Sequence, residues 1–192
     1  MKYHLKKGVI SKIKSLKLLI LDVDGILTNG KKLYSDNGKV LGKFYCDLDF
    51  TAIKIFKYFK IHVVFLSGDR TCNEMIAKNR NIDFYYSRKN NRSLDKNDFL
   101  KKIVSKYKVS IQETCFFGDD IFDINLLLNV GLGVVPNNSA YYLKKIAHII
   151  LNGKSGDYLI KEFLDIYLYY KKLNIPQIDE LSKIEANENQ KY

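Results

Sequence analysis

The sequence predicts an α/β fold: a parallel sheet flanked by helices, with one β-hairpin inserted after the first strand. Three observations predict it. Short apolar runs alternate with longer amphipathic stretches, the pattern of buried parallel strands joined by right-handed helical crossovers. An Asp36-Asn37-Gly38 turn between two strand-like arms interrupts that alternation early, and Asn-Gly is a strong hairpin signal. The chain of 192 residues is 46% hydrophobic, enough for one domain with its own core.

The strands follow from β-branched and aromatic runs that stop at acids, glycines or prolines: Leu18–Asp22, Val63–Ser67, Asp83–Tyr86, Thr114–Gly118, Gly131–Val135 and Ala147–Leu151. The hairpin, about residues 31–45, has arms Lys32–Ser35 and Lys39–Tyr45. Helices are expected over Asp49–Lys60, where Ile53, Phe56 and Phe59 share a face, and over Thr71–Asn79. Further helices are expected over Asp95–Lys108, Asp120–Asn129, Asn138–Lys145 and Gly156–Tyr170. Residues 1–170 form one domain in this reading, with no inserted second domain. Residues 171–192 are a polar tail, carrying Pro176, that is expected to be largely loose.

Composition excludes several classes. No run of about 18 uncharged apolar residues exists to span a membrane. The Lys-rich start and the run from Leu16 to Leu21 do not make a secretory signal, because Asp22 and Asp24 follow where a small-residue cleavage site would stand. Cys46, Cys72 and Cys115 are odd in number and form no CxxC pair, which suits a reducing cytoplasm rather than a disulfide framework or a zinc site. Cys115 is expected to be buried and inert. The formal charge of +11 comes almost wholly from lysine, with only four arginines. That is a solvated basic surface, not the clustered arginine and stacking aromatics of a nucleic-acid binder. It favours an anionic small substrate. His4, His62 and His148 are read as non-catalytic.

In an open parallel sheet, ligands sit beyond the carboxyl ends of the strands. Those ends carry Asp22 and Asp24, then Ser67-Gly68-Asp69, then Gly118-Asp119-Asp120, with Asp123 one turn further on. Carboxylates gathered at one rim repel each other and call for compensation. An all-oxygen set without His or Cys suits Mg2+, which also takes a substrate phosphate oxygen. One such carboxylate can attack phosphorus, and a second two residues away can act as acid and base.

These residues resemble the haloacid dehalogenase (HAD) superfamily of phosphatases. Asp22-Val23-Asp24-Gly25 matches its first motif, Ser67 the second, Lys96 the third, and Gly118-Asp119-Asp120 with Asp123 the fourth. The extended Asp22–Gly30 stretch and the hairpin look like the capless branch that contains 3-deoxy-D-manno-octulosonate 8-phosphate (KDO 8-phosphate) phosphatase. The similarity runs from about Lys17 to Tyr170. It implies a Rossmann-like fold without a cap domain, and a magnesium-dependent, cytoplasmic phosphatase of surface-polysaccharide (lipopolysaccharide) biosynthesis. The substrate would be KDO 8-phosphate or a related sugar or sugar acid phosphate. By the same resemblance Asp22 is nucleophile and metal ligand, and Asp24 is the acid/base that lends the metal its backbone carbonyl. Asp119 is the remaining metal carboxylate, Asp123 orients that set, and Asp120 assists. Ser67 and the Gly68 amide hold phosphoryl oxygens, and Lys96 pairs with Asp22 and the phosphate. The branch also implies a homotetramer joined through the hairpins, each site partly covered by a neighbour. A catalytically silent assembly or regulatory subunit is the competing expectation.

Three places depart from the branch. Asp69 stands where Arg is usual, and is expected to point away and cap the helix beginning near Thr71. The Arg that would meet a sugar carboxylate is absent or replaced by Lys161, and Lys154 or Lys161 is a candidate reader of the substrate's anion in a neighbouring subunit. Asp47-Leu48-Asp49-Phe50 replaces a more usual Arg-Asp-Gly.

Overall fold

The computed structural model describes residue 5, residues 7–186 and residue 188; His4 lies outside them. The chain runs α1 (Lys7–Lys14), β1 (Leu18–Leu21), β2 (Thr28–Tyr34), β3 (Val40–Tyr45), α2 (Asp47–Tyr58), β4 (His62–Ser67), α3 (Thr71–Asn79) and β5 (Asp83–Tyr86). It continues with β6 (Arg88–Lys89), β7 (Arg92–Ser93), α4 (Leu100–Tyr107), β8 (Thr114–Phe117), α5 (Ile124–Asn129), β9 (Leu132–Val135), α6 (Tyr141–Ile146), β10 (Ile149–Ile150), α7 (Leu159–Lys171) and α8 (Ile178–Glu185).

Six strands form one parallel sheet in the order β10-β9-β8-β1-β4-β5. The chain first builds outward from β1 through β4 to β5, then returns to β8 on the other side of β1. The order therefore reverses between β1 and β8, and a crevice opens at their carboxyl ends. All four residues of β1 are buried. Leu19 and Leu21 join Val63, Phe65, Cys115 and Phe117 on the face covered by α1, α2 and α7. Leu18 and Ile20 join Val64, Leu66 and Phe116 on the face covered by α4, α5 and α6. The period-two alternation of side chains thus feeds two cores from one apolar run. Phe56 of α2 packs its ring against Phe163 and Tyr167 of α7, at centroid distances of 5.9 and 5.3 Å.

The predicted sheet and hairpin are present, with shifted boundaries. The first hairpin arm starts at Thr28, not near Lys31, because Thr28 already pairs with Tyr45. Its turn is closed by Gly38, at φ +77°, whose amide donates to the Ser35 carbonyl at 2.9 Å. Helix α2 begins at Asp47, and two expected helices begin with 3-10 turns, Lys96–Phe99 and Ile121–Asp123. The C-terminal tail departs most from expectation. It carries α8, whose Glu180 accepts the Tyr58 hydroxyl proton at 2.8 Å and whose Glu185 meets Lys54 at 2.5 Å, so it docks on α2. Helix α1 was also unforeseen; only Val9 and Ile13 of its eight residues are buried.

Candidate active site

Asp22 and Asp119 leave β1 and β8 on the two sides of the crevice. Glycines allow this approach. A Cβ on Gly25, which sits at φ +93°, would fall 2.0 Å from Asp119 Oδ2. A Cβ on Gly118 would fall 2.6 Å from Cβ of Asp123. Each would clash, and the positive φ at Gly25 adds a backbone reason for glycine.

Carboxylate oxygens of Asp22, Asp119 and Asp123 all lie within 4.8 Å of one another. One ammonium serves them: Lys96 Nζ donates to Asp22 Oδ2 and to Asp123 Oδ1, both at 2.7 Å. Lys96 is 5% exposed, the first residue of a 3-10 turn whose Asn97 amide is capped by Asp95 at 2.9 Å. Asp123 is fully committed. Its second oxygen accepts the amides of Asp119 and Asp120 at 2.9 and 3.1 Å, so it ties Lys96 to the loop that carries Asp119. Asp22 Oδ1 accepts the Val23 amide at 2.7 Å. Oδ1 of Asp119 is buried with no hydrogen-bond partner.

Three carboxylates against one ammonium leave an excess of negative charge. Burial, reinforced by Asp123 and only partly offset by Lys96, pushes the Asp22 carboxyl up to about 7. Burial with Asp22 and Asp123 beside it pushes Asp119 up to about 8. Burial works to lower the Lys96 ammonium pKa, but Asp22 and Asp123 together raise it above the ordinary lysine value. An orphaned buried oxygen, an all-carboxylate donor set and surplus negative charge fit a hard divalent cation.

Asp24 is arranged differently. Its carboxylate is not part of that cluster. It faces Lys43 Nζ, at 2.8 Å to Oδ1 and 2.9 Å to Oδ2. It also accepts from Asn73 Nδ2 at 3.0 Å and from the Thr28 hydroxyl at 3.3 Å. Asn73 donates as well to Ser67 Oγ at 3.1 Å, so one buried amide orients residues of the first and second motifs. Ser67, Gly68, Asp120 and Lys96 line the same cleft of about 430 Å³ as Asp22, Asp24 and Asp119. Asp120 turns its carboxylate to the Ile121 amide at 2.6 Å, the position of a helix cap. The eight residues singled out in the sequence therefore meet at one site.

Asp69 stands one residue before the N-cap of α3, Arg70, and its Oδ1 accepts the first helical amide, that of Thr71, at 2.9 Å. It does not point clear of the cleft, however. Its other oxygen meets Lys32 at 2.6 Å and Lys43 at 3.0 Å. Burial tends to raise its pKa, but Lys32, Thr71 and Lys43 together hold the carboxyl well below the usual range. The sequence reading missed Lys43, Asn73 and Arg88. Lys43 and Tyr45 share one face of β3 while Phe44 takes the other, a pattern legible only once the register is known. Asp49 has a structural part: from α2 it accepts the amides of Ile160 and Lys161 at 2.9 and 3.0 Å, capping α7.

A family model for haloacid dehalogenase-like hydrolases matches residues 69–158. The chain is 26% identical over 158 residues to the 3-deoxy-D-manno-octulosonate 8-phosphate phosphatase of Haemophilus influenzae, covering 82% of this chain and 85% of that protein. It is 27% identical over 161 residues to the Escherichia coli K12 enzyme of the same name, covering 83% of each. The cobalt-bound H. influenzae phosphatase superposes with a TM-score of 0.77 at 25% identity, over 84% of this chain and 92% of the other. The Moraxella catarrhalis phosphatase, solved with magnesium, phosphate and KDO, shares the fold with a TM-score of 0.77 at 22% identity, over 85% and 92%. With the four motifs in order along one sheet edge, these similarities to haloacid dehalogenase-like hydrolases support a hydrolase of the phosphoric monoester class.

Proposed function

We propose that the chain is a magnesium-dependent phosphatase acting on a sugar phosphate monoester, with KDO 8-phosphate or a related acidic sugar phosphate as substrate. The observation that carries this reading is the cluster of Asp22, Asp119 and Asp123, with Lys96 held by Asp22 and Asp123 and with Asp119 Oδ1 unpartnered. A dication would offset the charge of such a cluster, and the cleft beside it has room for a phosphorylated sugar.

Asp22, Asp119 and the backbone carbonyl of Asp24 would hold Mg2+, which when bound offsets the carboxylate charge and polarises a phosphoryl oxygen. Asp22 attacks phosphorus through a carboxylate oxygen and forms an aspartyl phosphate, while the sugar oxygen leaves. Asp24 gives that oxygen a proton, then takes one from the water that hydrolyses the intermediate and regenerates Asp22. Its contacts with Lys43 and Asn73 fix where that proton moves. Ser67 Oγ and the Gly68 amide hold phosphoryl oxygens, and Lys96 balances the charge that builds on them. Asp123 positions Lys96 and the Asp119 loop, and Asp120 supports that loop from its cap.

The likeness to curated octulosonate phosphatases over four fifths of the chain supports the substrate class. Among the described residues no helix is long and apolar enough to cross a membrane. The hairpin exposes Leu33 (56%), Tyr34 (56%), Leu41 (62%) and Phe44 (73%), an apolar surface that supports assembly of several copies through this element.

A phosphate-release assay on phosphorylated keto-deoxy sugar acids, beside neutral hexose and heptose phosphates, tests the reading. The expected result is magnesium-dependent turnover, abolished by chelation and fastest on a sugar acid. No turnover on any ester at any magnesium concentration would reject it.

A further inference from the structure

We infer that Arg88 is a substrate-binding residue whose guanidinium clamps an oxyanion of the substrate beside Gly68. The inference rests on the phosphatase reading of the same cleft and adds to it a residue that none of the four motifs contains.

Three cations line the cleft: Lys32, Lys96 and Arg88. Lys96 is engaged by Asp22 and Asp123, and Lys32 by Asp69. Arg88 makes no ion pair with any described residue and is exposed to the cleft. The strand end that carries the second motif has no arginine of its own to give. Asp69 occupies the position after Gly68, and Arg70 is held outside by Glu74 at 3.2 Å and by the Tyr86 ring at 4.7 Å. Arg88 reaches back across this gap. Its Nε lies 3.3 Å, and its Cγ 3.9 Å, from where a Cβ on Gly68 would stand. The side chain thus lies along Gly68, whose amide the phosphatase reading assigns to a phosphoryl oxygen.

The mount is built for placement. Ser87 is 2% exposed, its amide donates to the Ser67 carbonyl at 3.0 Å, and its carbonyl accepts the Leu94 amide at 2.9 Å. The β6–β7 ribbon that follows reverses through Asn90 and Asn91, both left-handed at φ +48° and +60°. Consecutive left-handed residues make the two-residue turn that matches strand twist, and asparagine tolerates that conformation. The base of the arginine is therefore pinned to β4 while its head stays free. A guanidinium presents paired N–H donors that match phosphoryl or carboxylate oxygens two at a time, a geometry lysine cannot reproduce. Its place beside Gly68 favours the phosphoryl oxygens over a carboxylate on the leaving sugar.

Arg88→Ala and Arg88→Lys test this, since an exposed position tolerates both without loss of fold. Calorimetric titration of each magnesium-loaded protein with inorganic phosphate gives the first readout. The ratio kcat/KM on a sugar acid phosphate and on a neutral sugar phosphate gives the second. Arg88→Ala is expected to bind phosphate about tenfold to a hundredfold more weakly, the loss typical of a charge-assisted hydrogen-bonded pair. KM should rise on both esters by a similar factor with kcat changing less, and Arg88→Lys should recover only part. A loss confined to the acidic ester also supports the clamp and places it on the leaving sugar's carboxylate. Wild-type phosphate affinity and kinetics in Arg88→Ala would overturn the assignment and leave the phosphatase standing. Wild-type protein that neither binds phosphate nor turns over either ester would remove both.

Discussion

Asp119 and Asp24 divide the acidic work of the cleft in opposite ways. Asp119 has a buried, unpartnered oxygen in the carboxylate cluster, whereas the Asp24 carboxylate is turned to Lys43, Asn73 and Thr28. Asp24→Asn should therefore cripple turnover yet keep magnesium affinity within a few-fold of wild type, while Asp119→Ala should weaken the metal by about tenfold or more. Titration of both variants with magnesium checks this, and equal losses would contradict the division. A second consequence follows from charge. Asp22 and Asp119 titrate near 7 and 8 in the fold, well above their unfolded values near 3.8. Between about pH 4 and 8 the native state holds protons that the unfolded chain has released, so metal-free stability falls as pH rises through that window. Magnesium should abolish the fall by favouring the ionised forms, and Asp119→Asn should flatten it without metal. Thermal melts from pH 5 to 8, with and without chelator, give the answer; a metal-free melting point that rises with pH through this window would count against it. The motif carboxylates were legible in the sequence because acids at the ends of apolar strands have few other reasons to line up. Lys43 and Asn73 were not, because their value depends on a hairpin register and on a helix packed beside it.

Elements position these residues through caps and turns. Asp49, at the start of α2, holds the first amides of α7, and α7 in turn covers the face of the sheet that carries Leu19 and Leu21. Burial raises its carboxyl to about 6, with the α7 amides pulling the other way. Asp49→Ala should cost about 1–2 kcal/mol, the range for a lost helix cap. Asp49→Asn should cost less, because an amide oxygen still accepts the two N–H groups and no buried charge remains. Urea unfolding compares the two. The strands and most helices could be read from apolar periodicity, but α1 and α8 could not. Helix α1 buries only two residues, and α8 buries none fully. Each is held by neighbours distant in sequence, α8 by Tyr58 and Lys54 of α2, and local pattern carries no record of such docking. The β6–β7 ribbon was hidden for the converse reason: its only local sign is Asn90-Asn91 in a lysine- and arginine-rich stretch.

At the scale of the whole molecule, the sheet order sets the site and the hairpin offers an apolar surface. Reversal of strand order beside β1 opens one crevice, and every residue assigned to chemistry lies on its rim. The hairpin stands off the sheet and shows Leu33, Tyr34, Leu41 and Phe44 to its surroundings. Burying such side chains between copies stabilises assembly by roughly 1.5–3 kcal/mol for each one fully covered. The proposed assembly through the hairpin, with the copy number that the resemblance implies, predicts a tetramer at micromolar concentration. Leu41→Lys with Phe44→Lys should dissociate it and slow turnover by opening the cleft to water. Light scattering alongside kinetics checks both effects, and a wild-type monomer would overturn the assembly.

The rate of phosphate release by Asp22→Asn at saturating magnesium tests the central claim most directly. An amide in place of the proposed attacking carboxylate is expected to slow turnover by about a thousandfold or more, with the fold unchanged. A rate within tenfold of wild type would show that another group attacks phosphorus.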